Sequence, residues 1–144
     1  MIEIRFHGRY GQPVAALAGK VAQAALAAGK YVQVFENFAA YRPGAPMYTV
    51  VRIADSFIRE RSANASRPDV VVLLDNSLLG IMDVTRGLKA GGIVIAINVD
   101  PAVKRSNQRV NWQLLSLDSD ASIDKKEEMI LAELSKLGML QHHN

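Results

Sequence analysis

Two uninterrupted apolar runs, Val70-Val71-Val72-Leu73-Leu74 and Ile93 to Val99, constrain the fold of this chain more than any other feature. A strand with one wet face alternates apolar and polar residues. Runs this rich in β-branched residues are what strands buried on both faces look like. Asp75 and Asn76 end the first run, Ser77 is placed to cap a helix reaching about Leu88, and Gly91-Gly92 leads into the second run. Apolar strands separated by helices predict a parallel sheet with helices on both faces.

The opening segment extends this pattern. Ile2, Ile4 and Phe6 alternate with Glu3, Arg5 and His7, the period of a half-buried strand. Val14, Leu17, Val21, Ala25 and Ala28 then form a helical stripe over roughly residues 13–28, with Gly29 as the stop. Tyr31 to Phe35 reads as a second strand and Asn37 to Pro46 as a loop. Met47 to Ile53 is another strand, and Ala54-Asp55-Ser56 is placed to turn it back into Phe57-Ile58-Arg59 as an antiparallel edge hairpin. Arg61 to Pro68 is a polar connection and Gln113 to Leu117 a short strand. Ser122 begins a last amphipathic helix carrying Glu127, Ile130, Leu131, Leu134 and Leu137. With 144 residues and no repeat or linker, the chain reads as a single domain over 1–144. The predicted class is α/β: a Rossmann-like, mostly parallel sheet with helices on both faces and an antiparallel edge hairpin.

Composition removes several kinds of chemistry. The chain has no cysteine, so it has no thiolate nucleophile and no cysteine ligand for an iron–sulfur cluster. Of its three histidines, His7 lies on the first strand as a hydrogen-bonded structural residue, and His142 and His143 sit in a polar tail, so no metal site is expected. A net charge of +3 with both signs dispersed gives no basic face for nucleic acid. No apolar run approaches the ~18 residues needed to cross a bilayer, and the N-terminus lacks a signal-peptide layout, so the cytoplasm is the expected compartment.

The loop His7-Gly8-Arg9-Tyr10-Gly11-Gln12-Pro13 lies between first strand and first helix, where α/β proteins bind anions. Gly8 and Gly11 permit positive φ and close approach, Arg9 suits a phosphate or carboxylate, and Gln12 suits a cap or a ligand contact. Pro13 removes an N–H donor and Tyr10 fills space. The same loop also reads as a tight turn with no ligand. Arg42-Pro43-Gly44-Ala45-Pro46 is a stiff loop that lines a ligand or interface, with Phe38 and Tyr41 as contact aromatics, or merely connects two strands. Asp75 and Asn98 follow the central strands and either face the crevice or cap turns. Lys104, Arg105 and Arg109 read as a solvated basic loop. No self-contained catalytic set is present, so no catalytic residue is assigned.

Several segments together resemble the gamma subunit, or gamma domain, of 2-oxoacid:ferredoxin oxidoreductases. Met1 to Gln12 is similar to that family's opening strand and G-R-G-G-Q-G loop, with Tyr10 and Pro13 standing at glycine positions. Arg42-Pro43-Gly44-Ala45-Pro46 resembles its R-R-G-A-P, and Val50 to Ile53 the strand that follows. Pro68 to Asp75 and Leu88 to Ile95 resemble its P-D-V-V and L-K-x-G-G segments. The resemblance runs from residue 1 to about residue 98. It implies a component of a complex that oxidatively decarboxylates a 2-oxoacid, typically to acyl-CoA, with a scaffold or active-site-lining role and no activity alone. The implied partners are alpha, beta and ferredoxin-like subunits, and ferredoxin. Thiamine diphosphate, iron–sulfur clusters and CoA belong to the complex, and none is expected to be bound by this chain alone. The residues it implies for cofactor or ligand binding are Gly8, Arg9, Gly11, Gln12, Arg42 and Gly44. A stand-alone α/β module binding a phosphate-containing small molecule is the alternative.

Overall fold

Both apolar runs become neighbouring central strands, paired in parallel from Val70↔Ile93 to Leu73↔Ala96. The computed structural model describes residues 1–9, 12, 14–38, 46–58, 67–103, 110–115 and 123–136. Its strands are β1 (Ile2–Arg9), β2 (Tyr31–Phe38), β3 (Pro46–Ala54), β4 (Val70–Leu73), β5 (Ile93–Ile97) and β6 (Asn111–Leu115). They form one sheet in the order β2-β3-β1-β4-β5-β6. β1, β4, β5 and β6 pair in parallel, and β3 is antiparallel to β1 and β2. This is the mixed, mostly parallel α/β sheet that the sequence predicts.

The antiparallel hairpin is made by a different pair of segments from the expected one. β3 has β2 on one side and β1 on the other, so both of its hydrogen-bonding edges are taken. A strand returning through Phe57 and Ile58 finds no free edge on β3, and these two residues lie outside the sheet. Arg59 lies outside the described residues.

Helices α1 (Val14–Ala27) and α2 (Ile123–Lys136) cover one face. Val14, Leu17, Ala18, Val21, Ala22 and Ala25 of α1 and Ile130 and Leu134 of α2 pack on Ile4, Phe6, Val51, Ile53, Val70, Val72, Ile95 and Ile97. The alanines keep α1 slim on its sheet-facing side. Gly29 stops the helix at φ 81°, the left-handed conformation of a C-terminal glycine. Lys20 of α1 pairs with the buried Glu127 of α2.

On the opposite face, Leu78 and Val84 cover Val71, Leu73, Val94, Ala96 and Trp112, with Val103 at the margin. The predicted helix from Ser77 to Leu88 does not form. A 3-10 turn spans Asn76–Gly80, and irregular turns follow. Two aspartates account for the break. Asp75, not Ser77, is the cap, accepting from the Ser77 N–H at 2.9 Å, and Asp83 caps again, accepting from the Thr85 N–H at 3.0 Å. An aspartate inside a run offers the backbone a local partner that competes with helix hydrogen bonds.

β1 alternates as predicted, yet both of its faces are buried. Glu3, Arg5 and His7 are as hidden as Ile4 and Phe6. Glu3 pairs with Arg52 of β3 at 2.6 Å, and the Arg52 guanidinium lies 5.1 Å from the Phe35 ring centroid. Arg5 donates to His7 Nε2 at 2.7 Å and through Nη2 to the carbonyls of Val84 and Arg86 at 2.9 and 2.6 Å. The segment that failed to become a helix therefore exposes carbonyls that a buried arginine takes up.

Burial, reinforced by the Arg5 charge, lowers the His7 pKa from 6.5 to about 3. An unfolded chain takes up this proton near pH 6.5, and the folded chain only near pH 3. Stability supplied by a neutral His7 is therefore complete above pH 6.5 and falls as the pH drops through that window. Urea midpoints of wild type and His7→Gln between pH 7 and pH 4 are expected to converge on acidification, since glutamine cannot titrate. The single-proton slope is at most about 1.4 kcal/mol per pH unit.

Candidate functional site

Sheet order makes one edge special. From β1 the sheet extends through β3 and β2 on one side, and through β4, β5 and β6 on the other. The carboxyl ends of β1 and β4 flank the point where that order reverses, where open α/β sheets leave a crevice for ligands. Arg9 and Gln12, at and just beyond the end of β1, meet Asp75 and Ser77 after β4 there.

Gly8 closes β1 for reasons of space. A Cβ on it would sit 2.4 Å from Val14 Cγ2 and 3.0 Å from Gln12 Oε1. Its φ is not in the left-handed region, so the expected use of Gly8 for positive φ does not hold. Valine at the start of α1 is stiff and cannot swing away. Gly8→Ala is expected to cost about 1–3 kcal/mol in denaturant unfolding, the usual penalty of forced overpacking.

Gln12 stitches the turn. Its N–H donates to the Arg9 carbonyl at 2.9 Å and its Oε1 accepts from the Arg9 N–H at 2.8 Å. Its Nε2 then reaches Asp75 Oδ2 at 3.0 Å, across the reversal point. Arg9 follows the same line: Nε and Nη2 donate to Ser77 Oγ at 3.1 and 2.8 Å, and Nε lies 3.4 Å from Asp75 Oδ2. Burial alone would raise the Asp75 pKa, but the hydrogen bonds from Ser77 and Gln12 and the Arg9 charge outweigh it and hold the carboxyl below its ordinary range. The charged network thus persists at neutral pH and is lost only as acid protonates Asp75.

Asn98 sits at the same edge after β5, with φ 54°, which asparagine tolerates better than most residues. Its carbonyl accepts from Asn76 Nδ2 at 3.1 Å. The structure thus gathers Arg9, Gln12, Asp75, Asn76, Ser77 and Asn98 at one edge. Ser77, read from the sequence only as a helix cap, proves to be the partner of Arg9. Its signal was the Asp-Asn-Ser triplet directly after a buried strand. Tyr10, Gly11, Pro13, Tyr41, Arg42, Gly44, Lys104, Arg105 and Arg109 lie outside the described residues. A separate cavity of about 450 Å³, lined by Leu79, Met82, Val84 and Trp112 among others, holds none of the predicted site residues. Among the described residues no helix is long and apolar enough to cross a membrane, and no three potential metal ligands cluster.

The chain has a Rossmann-like α/β fold in which Arg9 and Gln12, after the first strand, are tied across the reversal point to Asp75 and Ser77 after β4. The chain belongs to the pyruvate ferredoxin/flavodoxin oxidoreductase family, whose model matches residues 3–141. It is 55% identical over 95 residues to the pyruvate/ketoisovalerate oxidoreductases common subunit gamma of Thermococcus kodakarensis, covering 66% of this chain and 51% of that protein. It is 47% identical over 97 residues to pyruvate synthase subunit PorC of Thermotoga maritima, covering 67% and 50%. The chain thus spans about half the length of the curated relatives it matches. The solved structure of the pyruvate oxidoreductase subunit PORC from Thermotoga maritima superposes with a TM-score of 0.63 at 32% identity, covering 93% of this chain and 67% of that one.

Proposed function

We propose that this chain is a gamma-type component of a 2-oxoacid:ferredoxin oxidoreductase complex, contributing scaffold and active-site lining to the oxidative decarboxylation of a 2-oxoacid. The observation that carries this reading is the identity of 47–55% to gamma and PorC subunits, joined to a family match over nearly the whole chain. In this reading, alpha, beta and ferredoxin-like subunits are the partners, and ferredoxin takes the electrons. Thiamine diphosphate, iron–sulfur clusters and CoA are supplied by or bound within the rest of the complex, the chain is inactive alone, and the compartment is the cytoplasm.

Gly8, Arg9, Gly11, Gln12, Arg42 and Gly44 form the proposed lining. Two observations support that grouping. Gly8, Arg9 and Gln12 stand at the reversal point of the sheet. Pro46, two residues after Gly44 in the sequence, pairs with Arg9 in the β1–β3 register.

The test is affinity capture of the tagged chain from its native source. The eluate is analysed by mass spectrometry, for thiamine diphosphate and iron, and for 2-oxoacid-dependent reduction of ferredoxin. Co-eluting thiamine- and cluster-bearing subunits with activity are the expected result. Recovery of the chain alone, without cofactor, overturns the reading and favours a free-standing binding module.

A further inference from the structure

The seat that the first loop offers to an anion is already taken by the protein itself. Asp75 Oδ1 accepts from the Ser77 N–H at 2.9 Å and the Ser77 hydroxyl at 2.6 Å. Asp75 Oδ2 accepts from Gln12 Nε2 at 3.0 Å and lies 3.4 Å from Arg9 Nε. Three hydrogen-bond donors thus converge on one carboxylate, and the Arg9 guanidinium, whose Nε and Nη2 donate to Ser77 Oγ, adds its charge beside it. The Gln12 amide cannot turn over without loss, because its Oε1 is committed to the Arg9 N–H. A guanidinium, a primary amide, a hydroxyl and a backbone N–H are the donor types that recognise carboxylates and phosphates. The Arg9 side chain is 27% exposed, so the fork can be reached from outside.

We propose that Asp75 is an internal counter-anion occupying the seat formed by Arg9, Gln12 and Ser77, and that the carboxylate or phosphate of a ligand enters by displacing it. This inference rests on the reading of Gly8, Arg9 and Gln12 as ligand-lining residues and adds how that lining is regulated. In the chain alone the seat is closed and its charge balanced. It opens when an incoming anion draws the Gln12 amide from Asp75 Oδ2 and the Arg9 donors from Ser77 Oγ, and the Asp75 carboxylate moves aside. The seat therefore discriminates against weak anions, which must compete with a tethered carboxylate.

The test uses the purified chain, with inorganic phosphate and acetate as probes, titrated by calorimetry against chloride at matched ionic strength. Asp75→Asn keeps an oxygen to accept the Ser77 N–H while removing the charge that fills the seat. Wild type is expected to show no saturable uptake at low-millimolar phosphate or acetate. Asp75→Asn is expected to bind at least one of them about tenfold more tightly or better, the scale of one charge-assisted contact. Arg9→Gln added to Asp75→Asn should abolish that gain. Preference between the two probes identifies the oxyanion. Equal binding by wild type and Asp75→Asn, or binding by neither, overturns the proposal. If Asp75→Asn fails to fold by circular dichroism, Asp75→Ser, whose hydroxyl also caps Ser77, takes its place. Saturable low-millimolar binding by wild type overturns the proposal without any variant. No partner subunit enters this titration, so its failure is distinguishable from failure of the capture experiment.

Discussion

Glu3→Ala should lower the unfolding free energy of this chain by about 3–5 kcal/mol, the cost of leaving one member of a buried ion pair without its partner. The side chains of Glu3 and Arg52 are 3% and 1% exposed, and they meet at 2.6 Å. Removing the carboxylate takes a counter-charge from a buried guanidinium beside the Phe35 ring, where no bulk water can replace it. Urea unfolding of the isolated chain is the measurement. The joint change Glu3→Leu with Arg52→Met should recover most of the loss, because exchanging a buried pair for apolar residues of similar volume is often neutral. A double variant as unstable as Glu3→Ala would mean that the pair stabilises beyond mere avoidance of a buried charge.

Arg5→Ala is expected to cost about 2–4 kcal/mol, since it leaves three buried or partly buried acceptors unfilled: His7 Nε2 and the carbonyls of Val84 and Arg86. Its signature differs from that of Glu3→Ala. The turns of residues 76–88 are held by few backbone bonds of their own, such as Met82 N–H to the Leu78 carbonyl at 3.0 Å and Leu88 N–H to the Thr85 carbonyl at 2.9 Å. Without Arg5 these amides should exchange hydrogen markedly faster than those of β4 and β5. Arg5→Lys should recover only part of the loss, because a single ammonium cannot reproduce the guanidinium fork. Uniform loss of protection across the sheet would show that Arg5 supports the global fold and not this segment in particular.

What the sequence disclosed follows from the range of the forces involved. Val70 to Leu74 and Ile93 to Ile97 announced themselves as central strands, because burial on both faces leaves a continuous apolar run. β1 was legible as a strand from Ile2, Ile4 and Phe6. Its second face was misread as wet, since Glu3 and Arg5 become tolerable inside through partners far along the chain, among them Arg52 and the Val84 and Arg86 carbonyls. The hairpin failed for a related reason: periodicity reveals that a strand exists, not which edge it joins. Residues 77–88 carried an apolar pattern compatible with a helix, but Asp75 and Asp83 each started a separate turn. At the site, Gly8, Arg9, Gln12 and Asp75 could be named from their positions after strands. The link from Arg9 to Ser77 required the parallel pairing of β1 with β4, which no local pattern encodes.

The position of β1 has a consequence for the order of events during synthesis. Ile4 pairs with Val51 on one side and Val70 on the other, so β1 emerges before either neighbour is available. Until then its carboxylate, guanidinium and imidazole remain hydrated, and they keep an otherwise sticky strand dispersed. Pairing with β3 closes the first edge, while the second stays open until residues 70–73 arrive. A nascent chain stalled between these two points presents a half-satisfied strand, and any foreign strand that reaches it first competes with β4.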